Sequence, residues 1–531
     1  MPEGYRTMAA HDAIGFESIL NPDPAMQART EPVPDRPAPE PRCFHDLCLD
    51  QILDRMTAGR EMFGLDRVFC TPAPDLGTIR YRQAFWQDLE QPDIGAACRA
   101  FTRKIQSSRA QQQMVGKSQD EWSARRWFLD AARMYGSAVR DLDRALNGLK
   151  PTSDAVGMLA RWLDTHLSSD HFRRLADEGE AIARDLEDIV YAVSVGEGDF
   201  RVQHPGRESD YSAEIEDTFA RFRQGDVRSH LVDLQDTLGL DHIEATILAF
   251  VARLNPNVFD RLRTFCEDFA TYENPVLIRL DRELHFYLAY ADFIAPMRAA
   301  GLPFCCPDMS DTDKAERVAD MFDPALAVRL VDDGKAVVTN DFELSGPERI
   351  IMVTGPNQGG KTTFARAFGQ LHYLARLGLP VPGREAHLFL VDEIHTHFER
   401  EENAADLRGK LEDELVRIHD IVTHVSPRSL VIMNESFNAT TADDAASLSA
   451  AVLEDFIGQD LICVCVTFID EIATLSHTIV SMVSTVDPDR DDARTFRIVR
   501  RPSDGRVYAA SLAHKYHLTG ADIRRRLTEA P

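Results

Sequence analysis

Long apolar runs are missing from this 531-residue chain. None reaches the roughly 18 residues that cross a bilayer, so no membrane contact is expected. The opening, MPEGYRTMAAHDAIGFESIL, lacks the basic start and apolar core of a secretory signal. Cysteine is scarce and odd in number, nine in all. Cys305-Cys306 and Cys463-x-Cys465 have the spacing of neither a zinc site nor a disulfide framework, and a chain this long needs no covalent staples. Buried thiols in the reducing cytoplasm are the expectation. Positive charge is short as well: 59 Lys and Arg against 86 Asp and Glu leave a net charge of −27. That excludes a surface coated for nucleic acid but allows a local basic patch.

What is present is unevenly distributed. Residues 1–42 hold eight of the 27 prolines, five of them in EPVPDRPAPEP. Such a segment buries little and is expected to be a disordered tail. Residues 43–332 read as mainly helical: in SARRWFLDAARMYGSAVRDLDRALNGL and HIEATILAFVARLNPNVFDRLRTFCEDFA, apolar residues recur every three or four positions. From about residue 333 the texture changes. AVVTNDFEL, RIIMVTG, HLFLVDE, SLVIMNE and LICVCVTF are short β-rich runs separated by helical stretches, the pattern of an α/β domain with buried strands over 333–510. Thr519-Gly520-Ala521-Asp522 resembles a capping box opening a last helix within 511–531.

The sharpest motif is GPNQGGKTT, residues 355–363. It fits G-x-x-x-x-G-K-[ST], with strand RIIMVT before it and helix TTFARAFGQLHYLARLG after it, the context of a P-loop. Glycines let backbone N–H groups turn around an oxyanion, and the helix N-terminus adds partial positive charge. Gly355, Pro356, Asn357, Gln358, Gly359, Gly360, Lys361, Thr362 and Thr363 are therefore candidates for binding ATP. Lys361 would reach the β- and γ-phosphates, and the Thr362 hydroxyl would join a Mg2+ shell.

Two acidic pairs compete to orient the attacking water. HLFLVDE offers Asp392-Glu393, and SLVIMNE offers Asn434-Glu435. Pattern alone favours the first, which has the aspartate. His395-x-His397 follows that pair and is expected on a loop rather than at a metal.

GPN ahead of GGKTT resembles the signature of the DNA mismatch repair MutS family, which is narrower than the general P-loop. The resemblance extends over roughly residues 43–531. It is looser in FHDLCLDQI, IRYRQAFWQDLE and RELHFYLAYADFIAPMRAAGLPFCCPDM, which look like parts of the family's core and lever domain. It implies a mainly α core and lever domain joined to an ABC-like α/β P-loop ATPase domain, acting as a homodimer whose contacts include the last helix. Asn340 and Phe342 resemble the segment that lines the nucleotide base. The order of signature helix, strand and polar turn matches GKLEDELVRIHDIVTHV, SLVIMNE and SFNATTADDA. On that resemblance Glu435 is the catalytic carboxylate, and Asn434 stands where an aspartate normally holds the magnesium shell through water.

Two further positions depart from the family. Gly409 stands where the partner-facing signature has serine, with Lys410 next to it as a possible charge donor in trans. Phe468 stands where a histidine senses the γ-phosphate. With Asn434, these departures point to slow hydrolysis of ATP to ADP and phosphate. No segment before residue 43 resembles the mismatch-reading domain, and Phe265-Cys266-Glu267 has its Phe-x-Glu spacing only by coincidence. Direct mismatch reading is not expected. Double-stranded or branched DNA remains the expected partner, through the basic stretch 103–150, where ten Lys or Arg face five Asp or Glu and where Arg125, Arg126 and Arg133 are the candidates. The rival is a nucleotide-switched scaffold that scarcely hydrolyses and binds a protein partner instead of DNA.

Overall fold

The computed structural model describes residues 15–33, 36, 38–195, 200–206, 242–399, 409–487, 490–502, 520 and 524–525. The chain divides into two compact units. One takes Met1–Phe16, Asp88–Thr152 and Val156–Asp281; the other takes Glu17–Gln87, Ser153–Ala155 and Arg282–Pro531. Neither unit is a single run of sequence, so the expected change of texture near residue 333 is not where they part.

The first unit is mainly helical. Helices Pro92–Lys117 and Glu121–Asn147 form a hairpin, with the Asp120 carboxylate accepting the Ser123 N–H at 2.7 Å to cap the second. Phe128, Leu129, Ala132, Tyr135, Val139, Leu142 and Leu146 make one buried stripe at helical spacing. Helices His242–Leu254 and Pro256–Asp268 meet at Asn255, with Pro256 opening the second. Phe265 is buried there, its ring 6.3 Å from Phe128 and 4.9 Å from Phe269, so it is a core residue.

The second unit is built around a six-stranded sheet. Its strands are β1 (Ile350–Thr354), β2 (Ile394–Phe398), β3 (Leu430–Asn434), β4 (Ile462–Val466), β5 (Ile479–Asp487) and β6 (Arg490–Arg500), in the order β2-β3-β4-β1-β5-β6. The first five are parallel and β6 is antiparallel to β5. Every residue of β1, β3 and β4 is buried, as parallel strands covered on both faces require. Helix α1 (Lys361–Arg376) covers one face, where Gly369 lets it approach Ile432: an added Cβ would stand 2.6 Å from the Ile432 side chain. Helices α2 (Lys410–His424) and α3 (Ala442–Gly458) belong to the opposite layer, in a core with Val431, Met433, Cys463 and Cys465. Both cysteines are inert thiols; burial pushes Cys465 up to about 12.

A four-stranded sheet runs in the order Asp308–Ser310, Glu385–Phe389, Glu316–Met321, Asn340–Leu344. The run HLFLVDE is therefore not one strand. It ends in the small sheet at Phe389, and after four residues β2 begins in the large one. His395 and His397, expected on a loop, lie on β2 and are both buried. In IHTHF the histidines alternate with apolar or small residues, which suits a strand as well as a loop.

The disordered tail expected over 1–42 is also corrected for residues 15–33. Ile19, Leu20 and Asn21 are fully buried, and helix Pro24–Thr30 is capped by Asp23. Two buried charged side chains hold this segment. Glu283 accepts from Ser18 Oγ at 2.7 Å and from the Ile19 N–H at 2.8 Å. Arg82 donates to the Leu20 carbonyl at 2.9 Å and to Asn21 Oδ1 at 2.8 Å. Residues 1–14 lie outside the described residues, as does the last helix expected in 511–531 apart from 520, 524 and 525.

Candidate functional site

Strand register brings the chemistry together. Phe398, Asn434 and Val466 are aligned across β2, β3 and β4, and Val466 is aligned with Val353 of β1. The carboxyl ends of β1, β3 and β4 thus place Gly355, Glu435 and Phe468 along one edge of the sheet. Asp392-Glu393 precedes Ile394, at the other end of the same register. Five residues of strand, about 16 Å, separate the two pairs. Asp392 is instead used locally, accepting from Ser429 Oγ at 3.0 Å and from Ser426 Oγ in the turn before β3.

The loop between β1 and α1 depends on left-handed backbone. Gly355 has φ +124°, Gln358 +59° and Gly360 +90°. Two of its glycines also leave room for β5: a Cβ at Gly359 would lie 2.3 Å from Ser484 Oγ, and one at Gly355 would lie 2.9 Å from Ser484 Cβ. Ser484 Oγ donates to the Gly359 carbonyl at 2.7 Å. The loop is thus braced from behind by a buried serine that the motif does not contain.

Lys361, the first residue of α1, is buried. Its Nζ donates to the carbonyls of Gly355 at 3.0 Å and Pro356 at 3.2 Å, and lies 3.8 Å from Glu435 Oε1. The Phe468 ring covers it, with Nζ 4.2 Å from the ring centroid. Burial pushes the Lys361 ammonium down, and Glu435 opposes that shift. Burial pushes the Glu435 carboxyl up, with Lys361 opposing. Glu435 itself is held in a left-handed conformation, φ +55°, and its N–H donates to the Val466 carbonyl at 2.9 Å.

A cavity of about 460 Å3 opens in front of this group. Gln358, Gly359, Gly360, Lys361, Thr362, Thr363, Glu435 and Asn340 line it on one side. Met321, Phe322, Leu326, Leu330, Val337 and Val338 add apolar lining, with Asp323 and Lys335 among them, and Phe496 stands beside Gly360. Of the other loop candidates, Gly355 and Pro356 hold Lys361, and Asn357 is exposed. The Asn340 amide is anchored to the last strand, Oδ1 accepting the Ile498 N–H at 2.7 Å and Nδ2 donating to the Phe496 carbonyl at 3.3 Å, which leaves one N–H for a ligand. Phe342 is buried 4.7 Å from the Phe368 ring, in the core of the unit. Asn434 does not line the cavity. Its buried Oδ1 has no hydrogen-bond partner among the described residues, and neither has Thr354 Oγ1 at the end of β1. By register Asn434 shares the α1 face of the sheet with Ile432 and Val353, where its oxygen can accept a hydrogen bond from a metal-bound water, while Thr354 belongs to the other face.

Gly409 caps α2 with extended backbone, φ −68° and ψ 150°, and a Cβ there would meet nothing within 4 Å. Among the described residues nothing there would clash with a serine. Lys410 is the first residue of α2. His397 Nδ1 lies 2.9 Å from Ser436 Oγ. Among the described residues no three His, Cys, Asp or Glu side chains cluster as metal ligands, and none of the helices there is long and apolar enough to cross a membrane.

The candidate DNA residues in the first unit are all ion-paired. Arg125 pairs with Glu121 and lies over Trp122, Arg126 pairs with Asp130 at 2.9 Å, and Arg133 grips both oxygens of Glu180 at 3.0 and 3.2 Å.

Reasoning from sequence missed Ser484, Phe496 and the apolar lining of the cavity. Strand-to-loop packing left no trace in the motif, although Gly355 and Gly359 hinted at a close neighbour. It also missed Glu414, a glutamate on the apolar stripe Leu411, Glu414, Ile418, Ile421 of α2.

Residues 351–509 match the MutS domain V family. The DNA mismatch repair protein MutS of Dinoroseobacter shibae is 26% identical over 450 residues, covering 77% of this chain and 50% of that protein. The MutS of Erythrobacter litoralis is 34% identical over 186 residues, 34% of this chain and 21% of that protein. The endonuclease MutS2 of Gemmatimonas aurantiaca is 27% identical over 214 residues, 38% of this chain and 26% of that protein. The matches thus span half or less of these relatives. The glycine loop and Lys361 lie inside the matched segment, so it is the C-terminal part of the chain, residues 351–509, that is assigned to the MutS family.

Proposed function

We propose that this protein binds ATP with Mg2+ and hydrolyses it slowly, working as an ATP-gated homodimeric clamp on double-stranded or branched DNA without reading mismatches directly. The observation that carries this reading is the meeting of Lys361 and Glu435 beyond the carboxyl ends of β1 and β3, on either side of β4, beside a glycine loop and a 460 Å3 cavity. The ATP-binding part follows from the loop. Its amides and Lys361 hold the phosphates, and the apolar lining of the cavity receives the base. Thr362, with Asn434 through water, holds the magnesium, which when bound neutralises phosphate charge. Glu435 orients the attacking water and takes its proton. Asn434 accepts a hydrogen bond but adds no negative charge, which favours slow turnover.

A second reading has one observation in its favour. Arg125, Arg126 and Arg133 are already paired with carboxylates, so a phosphate there must displace an existing partner. On that reading the protein is a nucleotide-switched scaffold for a protein partner, without DNA. Steady-state hydrolysis with magnesium, with and without linear and branched duplex, separates the two when sedimentation is run beside it. ATP-dependent dimerisation and turnover that rises with DNA support the clamp. Tight ATP binding with no turnover and no DNA effect supports the scaffold.

A further inference from the structure

Helix α2 carries a glutamate where its packing calls for an apolar residue. Leu411, Ile418 and Ile421 form its inward stripe, and Glu414 lies on the same face, 4% exposed. A carboxylate there is costly unless it is hydrogen-bonded. Its Oε2 accepts the backbone N–H of Phe437 at 3.0 Å. Phe437 is two residues beyond Glu435, its side chain is fully buried, and both residues have left-handed backbone, at φ +63° and +55°. Two non-glycine residues in that region within three positions make a strained turn, which needs outside support to persist. The support has two ends: Val466 of β4 accepts the Glu435 N–H at 2.9 Å, and Glu414 accepts the Phe437 N–H.

We infer that Glu414 is a positioning residue for the Glu435 turn, and that through it α2, the helix beginning at Gly409-Lys410, sets the orientation of the Glu435 carboxylate. This rests on the reading of Glu435 as the water-orienting group. A methionine at 414 would fill the stripe but accept no hydrogen bond, leaving the Phe437 N–H without its partner. A glutamine would keep an acceptor of the same length. No ligand contact is lost in either variant, because Glu414 does not line the cavity.

The test uses the full chain with Glu414→Met and Glu414→Gln, each first checked by thermal melting. In Glu414→Met, kcat for ATP should fall about 10- to 100-fold, the loss typical of a catalytic group displaced by about 1 Å. ATP affinity should stay within about twofold, since interactions that act only on the reaction leave ground-state binding alone. Glu414→Gln should recover most of kcat. Hydrogen exchange of the peptide covering 435–437 should speed up in Glu414→Met and not in Glu414→Gln. Normal kcat in a folded Glu414→Met, or an equal loss of ATP affinity and kcat, overturns the inference. If the wild-type chain does not hydrolyse ATP, the reading of Glu435 fails, and hydrogen exchange alone decides whether Glu414 holds the turn. Unchanged exchange then overturns it.

Discussion

Gly359 shows how narrowly the loop is fitted. Its missing Cβ makes way for Ser484 Oγ, which would otherwise stand 2.3 Å away, and for the Pro356 carbonyl at 2.9 Å. Overpacking at such a contact costs about 1–3 kcal/mol. Gly359→Ala is therefore expected to weaken ATP binding by about tenfold or more in a titration, and adding Ser484→Ala should return part of the loss because the nearest clashing atom is removed. The Lys361–Glu435 couple has a different signature. Burial raises the Glu435 pKa, and the group must be ionised to take a proton from water. The acid limb of the kcat/KM–pH profile, which reports the free enzyme, should then lie above the range of an ordinary glutamate, with activity lost as pH falls through the raised value. An acid limb at the ordinary position contradicts the burial of Glu435. The Phe468 ring over Lys361 was legible only as a missing histidine; that phenylalanine would cover the lysine depends on β4 ending beside β1, which no local pattern records.

At the scale of elements, the strand–loop–helix at 350–376 was read correctly from GPNQGGKTT because its glycines and Lys361 serve a local geometry. The choice between Asp392-Glu393 and Asn434-Glu435 was not local. Both pairs adjoin strand-like runs, and only the register of β2 against β3 puts one pair at each end of the sheet. The β5–β6 hairpin and residues 15–33 escaped for a similar reason. Their stability comes from partners distant in sequence, such as Glu283 under Ser18 and Asn340 under Ile498. Helix α1 carries another such partner. His372 and Glu316 form a fully buried pair at 2.8 Å, and the Glu316 oxygen also accepts the Phe389 N–H at 3.1 Å. Burial lowers the His372 pKa, but the carboxylate and the Phe368 carbonyl outweigh it and the net shift is upward. A folded pKa above the unfolded value of about 6.5 stabilises most below that value, and the contribution fades as pH rises through the folded pKa. The gap in melting temperature between the wild type and His372→Gln should thus be widest near pH 6 and narrow towards alkaline pH. A gap that does not change with pH would mean that His372 is neutral in the fold.

For the whole molecule, charge is the dominant constraint. At −27 the chain repels duplex DNA at long range, so any binding must come from a local patch and must weaken steeply with salt. Because Arg125, Arg126 and Arg133 are held by Glu121, Asp130 and Glu180, reversing the three arginines removes those pairs as well as any phosphate contact. Reversing them should abolish salt-sensitive DNA binding if the first unit is the DNA-contacting part. Binding that persists with the same salt slope assigns the contact elsewhere on the molecule.

Strand register puts Glu435, and not the more conventional-looking Asp392-Glu393, beside the glycine loop, and on the proposed function Glu435 handles water. The most direct test is ATP turnover by Glu435→Gln and Glu393→Gln, measured side by side with ATP affinity. Glu435→Gln should bind ATP as the wild type does and lose turnover, while Glu393→Gln keeps both. Turnover lost in Glu393→Gln and kept in Glu435→Gln would contradict it.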